Sequence, residues 1–282
     1  MARREWTPII DRAAEIVRSY DTDVTLRQLF YRLVAAEVLR NAKTDYAQLA
    51  ARTARARRFD GFPSLSDSTR SLARMQSWES VEAALDERVH EFRLDHSVGQ
   101  EHDLYIVVEK AALEPQIWNW FSALGIGVTA LRGYHSVPLE EQIWDAVASR
   151  RADTSRAIAL YVGDFDPTGT DIERNFKRHL GHLFAEVRRV ALTWGQVERY
   201  DLPPQLGKAS DPRAATFAAA HGGLVQVEAD ALPPDVLRDL LTEAVDEFYD
   251  RDEYEAVVER EAKMRERLEA RVAALETDGD AA

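Results

Sequence analysis

Two short apolar runs, Leu104-Tyr105-Ile106-Val107-Val108 and Ala157-Ile158-Ala159-Leu160-Tyr161-Val162, each lead straight into acid: Glu109 follows the first, Asp164 and Asp166 the second. Runs this short, rich in β-branched residues and followed by helical patterns, read as buried parallel strands joined by crossover helices. In open sheets of that kind the ligand crevice lies beyond the carboxyl ends of the strands. The three carboxylates therefore stand where such a fold does its chemistry.

Asp164 and Asp166 are two residues apart, so an extended backbone aims both side chains at one face. Like charges that close call for a cation, and with Glu109 as a third oxygen donor a hard divalent ion suits the set. Gly169 permits a tight turn into a helix starting near Thr170, whose amino end favours an anion such as phosphate. The chemistry implied is Mg2+ acting on a phosphate ester, with Mn2+ able to substitute at carboxylate oxygens.

Glu109-Lys110 at one strand end and Gly163-Asp164-Phe165-Asp166-Pro167-Thr168-Gly169 at a later one resemble the Toprim domain of topoisomerases, primases and some nucleases. The wording is most similar to the family of the topoisomerase VI A subunit and the related meiotic double-strand-break protein. The resemblance implies that Glu109, Asp164 and Asp166 hold Mg2+ and that Glu109 also does acid/base work. Lys110, next to Glu109 in a strand-to-helix turn, is placed to reach a phosphate.

The second predicted helix reads Thr25-Leu26-Arg27-Gln28-Leu29-Phe30-Tyr31-Arg32-Leu33-Val34. At 100° per residue Leu26, Leu29, Phe30 and Leu33 form one stripe, and Tyr31 falls on its flank with Arg27 one turn earlier. A cation there favours phenolate and can hold a phosphate. The segment resembles the catalytic helix of the same family, in which the second aromatic of a pair is the nucleophile. Carried over, Tyr31 takes that role and Arg27 the nearby basic position, while Phe30 replaces the Tyr common at the first place. The likeness covers roughly residues 20–180. Gly61-Phe62-Pro63, Asp67-Ser68-Thr69-Arg70 and the tract Glu228 to Pro234 are similar to the short, stand-alone A-subunit-like proteins of phages and bacterial mobile elements.

The charge balance sharpens this. A net charge of −13 over 282 residues argues against indiscriminate binding to nucleic acid. The acidity is concentrated after Pro234, where sixteen acids face seven Lys/Arg, whereas 41–75 carries seven Lys/Arg (among them Arg52, Arg55, Arg57, Arg58 and Arg70) against three acids. That basic stretch is either a solvated helix face or a DNA-facing patch. With no Cys, disulfides and thiolate metal sites are excluded. The amino end lacks a signal-peptide core and no apolar run approaches about 18 residues, so a soluble, cytoplasmic protein is expected. No Gly-x4-Gly-Lys-Ser/Thr occurs, so no P-loop ATPase is encoded.

Three helices (Trp6 to Tyr20, Leu26 to Leu39, Thr44 to Arg57), an extended excursion over Phe62 to Ser68 and helical segments up to Leu94 suit a winged helix-turn-helix. Polar residues 96–103 read as a linker. Strands 104–108, 126–131, 157–162 and 187–192 alternate with helices 114–123, 139–149 and 170–180 in a parallel α/β layout. Gln226 to Ala231 alternates like an edge strand stopped by two prolines. Asp235 to Leu275 is helical, charged and broken near Tyr249 to Glu253; Val257, Met264, Leu268 and Leu275 permit a helical pairing surface, and a charged exposed helix fits equally. The fold class expected is α/β: an N-terminal winged-helix domain (1–95), a linker (96–103), a Toprim parallel α/β sheet domain (104–250) and a charged helical C-terminus (251–282).

Glu228 and Asp230 share the same-face spacing, and Lys208, Asp211 and Arg213 form a mixed-charge cluster. They are candidates for a second metal site or a substrate clamp, with a structural salt-bridge network the competing reading. Arg70, Lys208 and Arg213 join Lys110 as candidate phosphate binders. The seven histidines show no paired ligand spacing, which speaks against zinc. The resemblance implies Mg2+-dependent cleavage of double-stranded DNA by Tyr31 transesterification with a 5′-phosphotyrosyl link. It also implies a homodimer whose active sites combine Tyr31 of one protomer with the acids of the other, and a separate ATPase partner for strand passage. Two alternatives stand beside it: a Toprim nuclease using water, and a non-catalytic DNA-binding module.

Overall fold

In the computed structural model, residues 5–66, 75–150, 156–206 and 212–279 are described. Helices α1 (Thr7–Ser19), α2 (Leu26–Ala35), α3 (Lys43–Phe59) and α4 (Val81–Glu91) precede the sheet. Then come β1 (Asp103–Val108), α5 (Glu114–Phe121), β2 (Gly127–Ala130), α6 (Val137–Arg150), β3 (Ala157–Val162), α7 (Pro167–Leu180) and β4 (Glu186–Ala191). The chain continues through α8 (Trp194–Arg199), the short pair β5 (Gln205–Leu206) and β6 (Val225–Gln226) with α9 (Ala214–His221) between them, then α10 (Pro234–Asp246) and α11 (Arg251–Gly279). Among the described residues no helix is long and apolar enough to cross a membrane.

The sheet has strand order β2-β1-β3-β4 and every pair is parallel. β1 and β3 are buried at every position, as their unbroken apolar runs require. Alternation sends Leu104, Ile106, Val108, Ile158, Leu160 and Val162 into one apolar cluster. Tyr105, Val107, Ala159 and Tyr161 enter another, filled by Ile172, Phe176 and Leu180 of α7. The parallel α/β layout read from the sequence is the one observed, with strand ends displaced by a residue or two.

The N-terminal helices do not own a separate core. The first cluster runs from Trp6, Leu29, Phe30 and Leu65 through Ile106 and Leu160 to Leu237 and Tyr249. α2 and the turn before it are clamped to α5, for Gln28 Nε2 donates to Gln116 Oε1 at 2.8 Å, and Trp120 Nε1 donates to Thr22 Oγ1 at 2.7 Å. The expected wing is reduced to an isolated parallel bridge between Ser66 and Thr25, and 67–74 lie outside the described residues. Residues 75–80 are not helical, so helix begins only at Val81.

Residues 96–103 are packed rather than free, with His96, Gln100 and Asp103 all buried and Asp103 already in β1. Their polarity is matched by fixed partners: Gln100 Nε2 donates to Asp250 O at 2.7 Å, and His96 Nε2 meets Glu261 Oε2 at 2.7 Å. Glu261 belongs to α11, which packs on α4, so the pairing face of this long helix is used within the chain. Val257 is buried there and Met264 is exposed. The break between α10 and α11 falls at 247–250, near its expected place. Gln226 to Ala231 is strand only at its start, then a bridge at Val227 and a 3-10 turn.

Candidate active site at the carboxyl edge of the sheet

β1 and β3 end in register, Val108 opposite Val162, and their ladder runs one residue further through the Glu109 N–H to Val162 O at 2.8 Å. Glu109 thereby stands level with Gly163, one residue before Asp164 on the adjacent strand. Glu109 and Asp164 touch directly, for the Asp164 N–H donates to Glu109 Oε2 at 3.0 Å. Phe165 then makes an antiparallel bridge with Val227, exchanging hydrogen bonds of 2.9 and 3.0 Å. This brings the 228–231 tract beside the strand ends, and the Ala229 N–H donates to Asp164 Oδ1 at 2.8 Å.

Asp166 does something different from Asp164. It is the N-cap of α7, its Oδ1 accepting from the Gly169 N–H at 2.6 Å, with Pro167 at the first helical position. The helix therefore starts three residues earlier than the glycine suggested. Gly169 is needed for close approach rather than for a turn: a Cβ there would lie 2.5 Å from Asp164 O and 2.9 Å from Glu109 Oε2.

Lys110 is the hub. Its Nζ lies 2.8 Å from Asp230 Oδ2, 3.0 Å from Glu228 Oε2 and 3.1 Å from Asp164 Oδ2. Burial pulls the ammonium down, but Asp230, Asp164 and Glu228 outweigh it and hold its pKa well above the ordinary value. Glu228 and Asp230, candidates for a second metal site, a substrate clamp or a salt-bridge network, are engaged with a lysine. Glu228 also takes Arg27, whose Nη1 donates to Oε2 at 2.8 Å and Oε1 at 3.0 Å, while the guanidinium sits 5.1 Å from the Tyr46 ring centre of α3.

Tyr31 lies in the same electrostatic neighbourhood of the same chain, feeling the charges of Glu228, Lys110, Arg27 and Asp230. It is only 1% exposed, so the flank of α2 on which it was expected is itself covered. The helical stripe predicted one covered face of α2. A second is covered by the 3-10 turn two hundred residues away, where Arg32 donates to Ala231 O. The expectation of an easily formed phenolate also fails: burial first and Glu228 second raise the Tyr31 pKa, against the weaker pull of Lys110 and Arg27.

Burial is also the main force on the acids. It pushes Asp164 up to about 7, with Lys110 pulling down and Glu109 pushing up. It raises Glu109 as well, and the charge of Asp166 adds to it. The donor set fits a hard divalent ion: all oxygens, two of them on acids that pay for burial, with Asp230 Oδ1 and the Tyr161 hydroxyl nearby, buried and without a hydrogen-bond partner. A Cβ on Gly163 would come within 3.0 Å of Glu109 Oε2, so both glycines keep the surroundings of that oxygen open. Glu109, Asp164 and Asp166 do not form a closed three-ligand set, however. Among the described residues the set whose ligand atoms all lie within 4.8 Å of one another is His135, Glu140 and His179.

Of the remaining candidates, Arg213 lies off the hub, donating to the Tyr134 hydroxyl at 2.7 Å and pairing with Asp171 Oδ2 at 3.4 Å. Arg213 and Asp171, together with Thr170 and Arg174, line a hollow at the start of α7. Arg70 and Lys208 lie outside the described residues. Arg189 of β4 was missed from the sequence. Its Nη1 donates to the carbonyls of Gly163, Asp164 and Leu192, its Nε to Glu173 Oε2 at 2.6 Å, and it shapes the turn that carries Asp164. The signal was there, since of two adjacent arginines in a strand one must point inward. No protein-family model matches the chain, and no curated protein sequence matches it.

Proposed function

We propose that the chain is a Mg2+-dependent DNA-cleaving enzyme of the winged-helix and Toprim kind, working by tyrosine transesterification. One observation carries the reading: Tyr31 and Arg27 of α2 and the acids at the strand ends, far apart in sequence, meet on one cluster through Lys110 and Glu228. Glu109, Asp164 and Asp166 would hold the ion, which when bound neutralises phosphate charge and the leaving oxygen. Tyr31 attacks phosphorus and the bond to the 3′ oxygen breaks. Glu228, the charge that weighs most on Tyr31, takes the phenol proton. Glu109, to which the family resemblance gives acid/base work, relays that proton to the 3′ oxygen, so that the proton lost by the phenol is the one the leaving group gains. Arg27 and Lys110 trade their carboxylate partners for the phosphate.

The exposed Arg55, Arg57 and Arg58 of α3 support double-stranded DNA as the substrate. The placement of Tyr31 against its own chain's hub supports a site completed within one chain. A homodimer would then supply the second cut rather than half of each site, with strand passage left to a separate ATPase partner.

A specific observation favours a second reading, hydrolysis by water. At 1% exposure and with its pKa raised, Tyr31 must be uncovered before it can attack. Incubating supercoiled plasmid with the protein and Mg2+ or Mn2+ separates the two. Transesterification predicts nicked or linear DNA with protein-linked 5′ ends that vanish in Tyr31→Phe; hydrolysis predicts free ends that persist in it.

A further inference from the structure

We infer that His135, Glu140 and His179 form a binding site for a divalent transition ion of the zinc class, separate from the acid cluster. His135 comes from the loop after β2, Glu140 from the first turn of α6 and His179 from the last turn of α7. Glu140 Oε1 stands 2.9 Å from His135 Nε2 and 3.1 Å from His179 Nδ1. The two rings cross at 84° with centres 5.6 Å apart.

An ordinary hydrogen-bonded histidine pair does not account for this arrangement. The His135 side chain is 1% exposed; among the described residues its Nε2 meets only the Glu140 carboxylate, at 2.9 Å, and its Nδ1 has no hydrogen-bond partner. A buried imidazole with a nitrogen left unmatched costs free energy that a metal ion can recover by drawing the ring and the carboxylate onto itself. Burial also lowers the His135 pKa, which keeps the ring neutral and able to ligate. Two imidazoles and one carboxylate are the borderline donors that zinc and its neighbours prefer, whereas Mg2+ prefers oxygen throughout. Glu140 and His179 are 27% and 38% exposed, so an ion can enter from solvent. Asp145 and His182 line the same hollow and can offer a fourth ligand or hold a water. Arg178 Nη2, 3.0 Å from His179 Nε2, is exposed and can turn away.

Such an ion would tie the loop 131–136 to α7. That loop carries Tyr134, which donates to Asp171 and accepts from Arg213, so the ion would steady the rim of the hollow at the other end of the helix.

The test strips the full chain of metal and titrates Co2+ slightly above neutral pH, following visible absorption, with Zn2+ as competitor. The site predicts one equivalent of Co2+ carrying the intense bands of a low-coordinate nitrogen and oxygen site and displaced by Zn2+, distinct from the weak bands of any Co2+ held by oxygens alone at the acid cluster. His179→Gln, on a part-exposed helix end, and Glu140→Gln should each weaken binding by more than the roughly 10–100-fold that losing an outer partner costs. Asp164→Asn should leave it unchanged. Absence of Co2+ uptake by the unmodified chain, uptake indifferent to His179→Gln, or uptake lost in Asp164→Asn would each overturn the assignment.

Discussion

The two ends of α7 hold two kinds of ionisable cluster. At the amino end Asp166 caps the helix beside Glu109, Asp164 and the Lys110 hub. At the carboxyl end His179 meets His135 and Glu140. The first is built of oxygen donors whose charge is already answered, since one buried ammonium lies within 3.1 Å of three carboxylates. The second sets one carboxylate between two imidazoles; among the described residues no cation stands between them, and a buried ring nitrogen has no hydrogen-bond partner. A cluster with an internal counter-ion can rest stably and releases its carboxylates only when a cation or phosphate competes for them. A cluster without one is a stronger sink for an outside ion.

The comparison is sharpest at Glu109. If the amino end carries the chemistry, Glu109→Gln should slow DNA cleavage by about 10²–10⁴-fold, as loss of a general acid or base does, in a gel assay of plasmid cleavage, while His179→Gln should leave the rate within a few-fold. Equal losses at the two ends would erase the distinction.

Lys110→Met probes the internal counter-ion. It leaves Asp164, Glu228 and Asp230 without their common cation, and breaking a buried ion pair in this way costs about 3–5 kcal/mol. The expected result is a clear fall in melting temperature, reversed in part by Mg2+ or Mn2+, which takes over the role of the ammonium.

A third effect appears in the pH dependence. Asp164 has its folded-state pKa raised from 3.8 to about 7 by burial. Below about pH 4 the carboxyl is protonated in folded and unfolded chains alike, and its contribution to stability is fully present. Between about 4 and 7 the folded chain keeps a proton that the unfolded chain has lost, so that contribution falls away as pH rises. The slope is at most about 1.4 kcal/mol per pH unit. Asp164→Asn should flatten the chemical-denaturation stability profile over this window; an unchanged profile would mean that Asp164 titrates normally.

The smallest effect belongs to the carboxyl end. Without added metal, His179→Gln should change stability by no more than about 0.5 kcal/mol, as most surface substitutions do. With Zn2+ present, only the unmodified chain should gain melting temperature.

What was legible in the sequence follows the same division. The strands β1 and β3 could be read because an unbroken apolar run means burial on both faces, and the acids after them because the carboxyl edge is where such strands end. Asp164, Asp166, Glu109 and Lys110 sit in contiguous motifs, so local pattern sufficed. Contacts made by chain segments far apart could not be read. The cover that buries Tyr31 comes from Ala229–Ala231, and the partner of Glu228 and Asp230 is a lysine more than a hundred residues earlier. The polar stretch 96–103 suggested exposure because its partners, Asp250 and Glu261, lie at the far end of the chain. His135, Glu140 and His179 escaped for the same reason, for only the packing of α6 on α7 brings them together.

The most direct measurement is cleavage of supercoiled plasmid by the unmodified chain and by Asp164→Asn, each with Mg2+, with Mn2+ and with chelator. The account predicts nicked or linear products from the unmodified chain only when a divalent ion is present, and none from Asp164→Asn. Cleavage that survives Asp164→Asn, or an unmodified chain that binds DNA without cutting it under every metal condition, would contradict it.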